Sequence, residues 1–350
     1  MKRYLKIILT GAIIGAISVG LVALGNPGNM GFCIACFLRD ITGALSLHKA
    51  EVVQNVRPEI LGLVLGACIM AFVGKEFKPK GGSSPVTRFV LGCFVMIGAL
   101  MFLGCPLRMM LRIAGGDLNA VIGLIGFVVG IGIGIFILQK GFTLKRSYAQ
   151  SYVEGGVFPV AMGVLLIMVL TIPGAFIWSQ KGPGAAAAPI IASLIAGLVV
   201  GALAQKTRFC TVGSIRDALM FKDFYLLTGF ITLIIVAAIG NMILGQFHLG
   251  FVEQPIAHTD GVWNFLGMLL VGWGSVLLGG CPLRQLILSG EGNTDSVVTV
   301  LGLMAGAAFA HNFGLASSGN GPTLNGQIAV GVGIIVVTII SIGNISRVKN

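Results

Sequence analysis

Charge is scarce in this chain, and acidic charge scarcest. Of 350 residues only 12 are Asp or Glu and four are His, against 23 Lys or Arg. A soluble domain carries about a quarter charged residues. Here the charged share is 10%, hydrophobic residues make up 56%, and the mean hydropathy is +0.97. A water-soluble fold is excluded. The apolar runs are too long and too continuous for the alternating segments of a barrel, so the spans read as helices. With so few carboxylates there is no acid pair, no Ser/His/Asp arrangement, no phosphate loop and no dinucleotide fingerprint. An enzyme is therefore not expected. His48, His248, His258 and His311 are scattered along the chain, so neither a metal site nor a bound cofactor is expected. Seven cysteines is an odd number and gives no disulfide framework.

The formal net charge of +11 would ordinarily suggest nucleic acid. The basic residues, however, sit in short loops between apolar runs, which is the pattern of cytoplasmic loops in membrane proteins. The lipid bilayer is the expected partner, and nucleic acid is not. The first run, KRYLKIILTGAIIGAISVGLVALG, lacks a convincing small-residue cleavage site and is read as a span rather than a signal peptide.

What is present is repetition. The phrase Cys105-Pro106-Leu107-Arg108 recurs as Cys281-Pro282-Leu283-Arg284, each copy after a glycine-containing apolar run. Upstream, GFCIACFLRD at 31–40 matches RFCTVGSIRD at 208–217, so Cys33, Arg39 and Asp40 correspond to Cys210, Arg216 and Asp217. The step from first to second cysteine is 72 residues in one half and 71 in the other. This is a duplicated unit with a cysteine pair in each copy, divided into 1–150 and 151–350.

Ten spans are expected, at roughly 6–25, 58–74, 88–104, 119–138, 157–178, 187–204, 224–246, 262–280, 296–314 and 326–345. The repeated phrases fall on four short pieces, 30–47, 105–114, 209–221 and 281–290. These are too short to cross a bilayer and are expected as re-entrant helices buried in protein. The loops on one face hold 17 of the Lys and Arg residues and those on the other hold six. The richer face is expected in the cytoplasm, with both termini. Five spans, an odd number, separate equivalent points of the copies, so the second copy is expected upside down. The fold class is an all-α polytopic membrane protein of two inverted repeats, with a thiol-lined funnel from each side.

Proline suits the first position of a helix, so Cys-Pro sets a thiol at the positive helix end. Arg108 and Arg284 follow one turn later. An arginine inside a membrane is costly and marks a substrate path or a buried pair. Arg39 and Arg216 each adjoin an acid and read first as scaffold, and secondarily as candidates for the substrate path. Cys36 completes a CxxC with Cys33 that the second copy lacks, and is a secondary candidate. Cys68 and Cys93 read as core packing, and His311 with Asn312 as a satisfied polar pair. Soft sulfurs, helix N-termini and a few cations suit a small anion with a polarisable atom such as sulfur or selenium.

These doubled phrases resemble the YeeE/YedE family of bacterial membrane proteins, over about 30–310. The resemblance implies an inner-membrane transporter of a sulfur compound, thiosulfate above all, with an hourglass-like fold. It further implies Cys33, Cys105, Cys210 and Cys281 on the substrate path, and a soluble sulfur or selenium carrier protein as a cytoplasmic partner. A CPLR phrase in both halves and the extra Cys36 look closer to the YedE branch, which is associated with selenium metabolism. Two rival readings follow from the thiols alone. One is a membrane thiol enzyme relaying sulfane sulfur or electrons through Cys33 and Cys36. The other is a soft-metal carrier.

Overall fold

A computed structural model describes residues 2–345. Among the described residues, fourteen helices run in the order α1 (Lys2–Ala23), α2 (Ile34–Ala44), α3 (Pro58–Val73), α4 (Pro85–Phe102), α5 (Pro106–Ala114), α6 (Leu118–Gln139), α7 (Tyr152–Thr171), α8 (Ile190–Thr207), α9 (Thr211–Phe221), α10 (Tyr225–Ile243), α11 (Gly261–Leu277), α12 (Pro282–Gly290), α13 (Thr294–Asn312) and α14 (Leu324–Gly343). The only paired strands among the same residues are β1 (Lys80–Gly81) and β2 (Tyr148–Ala149), which join the α3–α4 and α6–α7 loops antiparallel. The protein is an all-α, multi-pass membrane protein.

Among the described residues, nine helical segments are long and apolar enough to cross a bilayer. The tenth expected span is α3, whose 16 residues reach about 24 Å at 1.5 Å per residue. One boundary differs from expectation. The span anticipated at 157–178 is α7, which starts earlier and stops at Thr171. Pro173 pushes the residue before it out of helical geometry, and Ile172 sits at φ −134° and ψ 60°. Arg347 and Lys349, counted for orientation, lie outside the described residues.

The four short helices fall on the four expected pieces. Each begins at a cysteine inside the protein and ends at a loop. Two sets of loops are separately bonded together. On the basic face, Lys80 pairs with Ala149 and Asn293, Arg3 with Asp223, and Arg208 with Glu76 and Glu291. On the opposite face, Arg57 bonds to the carbonyls of Pro183 and Ala186, and the His248 amide to Gly115. The α2 and α5 ends join the opposite face, whereas α9 and α12 end on the basic one.

The two copies interleave rather than standing as separate domains. The most extensive packing crosses between halves: α1 lies on α10 and α3 on α8, α4 on α13 and α6 on α11. Exchanging the copies turns each of these pairs into its counterpart. In lipid there is little hydrophobic drive between helices, so close backbone approach supplies the attraction. Gly98 and Gly267 show it at the α4–α11 crossing. A Cβ on Gly98 would stand 2.6 Å from the Gly267 carbonyl oxygen.

Candidate functional site

Cysteine replaces the usual Ser or Asp at two helix starts. The Cys33 sulfur accepts from the Cys36 amide at 3.3 Å, capping α2, and Cys210 accepts from the Gly213 amide at 3.3 Å, capping α9. Such a cap satisfies one of the free amides of a helix's first turn. Cys105 and Cys281 precede prolines at the first positions of α5 and α12, and their sulfurs make no capping bond to their own helices. The Cys105 sulfur instead accepts from the Ile34 amide of α2 at 3.3 Å. In each copy, therefore, two helix N-termini meet through their thiols. The Cys33 and Cys105 sulfurs are 3.9 Å apart, and those of Cys210 and Cys281 are 3.8 Å apart. All seven cysteines are free.

Each place thus sets two positive helix ends beside a pair of weak S–H donors. Both places are closed in this conformation. Cys33 and Cys36 are 0% exposed, Cys105 and Cys281 are 1% exposed, and Cys210 is the least covered at 7%.

The surroundings of the two pairs differ. Beside the first pair, Ile34, Cys36 and Phe37 are all fully buried. The corresponding residues of the second copy are Thr211, Gly213 and Ser214. The Thr211 hydroxyl is buried with no hydrogen-bond partner. Cys36 lies 3.8 Å from Arg108, at the first pair only.

The two equivalent arginines are also used differently. Arg108 is fully buried and donates to the carbonyls of Asn29, Leu103, Pro255 and Ile256. It offers a fixed positive charge rather than a free donor. Arg284 pairs with Glu291 at 3.1 Å. Arg39 and Arg216 each pair with the adjacent acid, at 2.7 and 2.8 Å. In the first copy Asp40 holds Arg57 as well, at 2.8 Å, tying α2 to loop 183–186.

Some of the polar framework is not evident from sequence. Arg57 and Arg112 are fully buried, and Arg112 meets Asp117 at 2.6 Å while its guanidinium stacks on Phe102. Lone arginines flanking apolar runs were the available signal. Cys68 and Cys93 are half-buried rather than in the core. His311 packs against His48 with the rings tilted, 4.7 Å between centroids, and its Nε2 unpartnered, while Asn312 bonds elsewhere, to the Leu47 carbonyl. Among the described residues no group of three or more His, Cys, Asp or Glu side chains is placed to hold a metal ion.

A family model described as sulphur transport matches residues 206–343, which include α9, α12 and the second cysteine pair. Over those residues the chain is similar to the sulphur-transport family. Among its curated relatives is the thiosulfate transporter TsuA of Spirochaeta thermophila, 31% identical over 103 residues, which are 29% of this chain and 31% of that protein. The TsuA thiosulfate transporter of Escherichia coli strain K12 is 28% identical over 123 residues, 34% of this chain and 33% of that protein. The matched stretch thus spans about a third of each relative's length.

Proposed function

We propose that this protein imports a small sulfur oxyanion of the thiosulfate kind across the cytoplasmic membrane, passing it between two thiol pairs. The observation that carries the reading is the meeting of helix N-termini through paired sulfurs, once in each copy. The name of the curated relatives supports the substrate class. On this reading the halves are inverted repeats. The α2 and α5 ends face outward, α9 and α12 face the cytoplasm, and so do both termini.

An anion arriving from outside is attracted by the amide ends of α2 and α5 and by the fixed charge of Arg108. It meets Cys33 and Cys105 as neutral S–H donors. A thiolate would repel a dianion, so the thiols carry it in their protonated form. Contacts of this strength bind without trapping, as conduction through successive sites requires. Cys210 and Cys281 repeat the step toward the cytoplasm, where Arg284 lies one turn further on. Span interiors hold few acids, so a route driven by downstream consumption is simpler than a proton-coupled one. Cys36 adds a soft contact to the outer pair alone, and there a selenium analogue would be sensed.

The test is uptake of labelled thiosulfate and selenite in cells lacking other importers of these anions. Wild type is compared with Cys105→Ala and Cys281→Ala. Thiosulfate uptake that disappears in both variants is the expected result. Selenite uptake alone would move the substrate to selenium. Uptake of neither anion would overturn the proposal.

A further inference from the structure

The second copy carries two charged residues at positions where the first copy has no room for a side chain. Two residues before the first cysteine stands Gly31 in one copy and Arg208 in the other; ten residues after the second cysteine stand Gly115 and Glu291. A Cβ on Gly31 would lie 1.7 Å from the Ser18 carbonyl oxygen, and one on Gly115 would lie 2.3 Å from Asn29 Oδ1. Arg208 and Glu291, by contrast, are bonded to each other. Arg208 Nη1 lies 3.0 Å from both carboxylate oxygens of Glu291, and Nη2 lies 2.9 Å from Glu76. Glu291 Oε1 also accepts from Arg284 at 3.1 Å.

Glu291 is thus held between two guanidiniums. Each of those arginines is within three residues of one thiol of the Cys210–Cys281 pair. The side chains of Glu291 and Arg284 are 10% and 12% exposed, while that of Arg208 is 46% exposed. The assembly therefore sits at a mouth, part in protein and part in water. Cavities of about 310 and 300 Å³ open beside Arg208, the first lined also by Lys78, Lys80 and Asn293. A carboxylate seated on two arginines presents the charge and oxygen geometry of an oxyanion.

We propose that Arg208 and Arg284 form an anion-release site on the basic face, and that Glu291 keeps it shut by occupying it as an internal carboxylate. An oxyanion leaving the Cys210–Cys281 pair takes the place of Glu291 on the two guanidiniums, opening the mouth. When the anion departs, Glu291 returns. The anion's identity rests on the transport reading above, and the latch does not. The first copy has neither latch residue, so only the basic mouth is controlled in this way.

The test is labelling of the purified protein with a negatively charged maleimide, followed peptide by peptide by mass spectrometry. Glu291→Gln and, as a more exposed control on folding, Arg208→Gln should each speed modification of Cys210 and Cys281 about tenfold. Labelling of Cys33 and Cys105 should be unchanged. In calorimetry, Glu291→Gln should bind thiosulfate more tightly than wild type, and Arg284→Gln more weakly. Unchanged labelling of Cys210 and Cys281 in both variants overturns the latch, even where wild type imports thiosulfate. Faster labelling with no thiosulfate binding or uptake by wild type supports the latch and overturns the sulfur-anion reading instead.

Discussion

Cys33 and Cys210 each do two things, and the two are separable. Each sulfur caps a helix and each faces a second thiol. A serine hydroxyl caps at least as well as a thiol, whereas alanine leaves a first-turn amide unpaired at a cost of about 1 kcal/mol. Cys33→Ser and Cys210→Ser are therefore expected to melt near wild type in detergent, and Cys33→Ala and Cys210→Ala lower. On the transport reading, all four should also lose thiosulfate uptake. Equal melting of the serine and alanine variants would remove the capping role. Arg112 offers a harsher case. Its pair with Asp117 is wholly buried, and removing one partner of such a pair costs about 3–5 kcal/mol because the other charge is left stranded. Arg112→Met should yield little monodisperse protein, read by size-exclusion chromatography. Of these residues, the cysteines were legible because repetition exposed them. The buried pair was not, since five residues in sequence do not reveal that both charges point inward.

At the scale of helices, what decides is how closely backbones approach. Gly98 sits where α4 crosses α11, while a Cβ on Gly20 of α1 would meet nothing within 4 Å. Gly98→Leu should cost about 1–3 kcal/mol or more through overpacking, and Gly20→Leu should be silent, by thermal unfolding of the two variants. A melting temperature lowered equally by both would refute the crossing as a special point. The four short helices were readable from Cys-Pro, from their length and from the doubled phrases. The crossing was not, because a chain with 53 glycines gives each one the same appearance. Nor could the end of α7 be placed from hydropathy, which continues past the proline that stops it.

The whole molecule has two chemically different faces, and pH should find them in turn. His48 and His258, on the opposite face, are held below the ordinary imidazole range, chiefly by burial. A base with a depressed folded pKa stabilises the fold only while the unfolded chain is also neutral. That contribution should begin to fade below about pH 6.5. On the basic face, the Gln205 amide and then Arg208 hold Glu76 below its usual range, and the Tyr225 amide and Arg3 do the same for Asp223. Those contributions are complete above the ordinary carboxylate range and are lost as pH falls through it. Melting curves across pH should therefore weaken in two stages, the histidine stage first. A single acid step confined to the carboxylate range would rule out the histidine contribution.

The interleaving of the copies bears on how such a chain arose. On the proposed inverted-repeat reading, the repeated core of each copy contributes four crossings, α1, α3, α4 and α6 in the first and α8, α10, α11 and α13 in the second. An even number returns a chain to the side it left, so plain tandem duplication would set both copies the same way up and bring the wrong faces together. Between them stands α7, an extra helix at the periphery, only 28% buried along its apolar length. Its worth lies in parity rather than in packing. A single ancestral unit, inserted in both directions and dimerised, would bury the surfaces that the fused halves now bury. On that reading, one added helix fixes within a single chain what insertion in both directions would otherwise leave to chance.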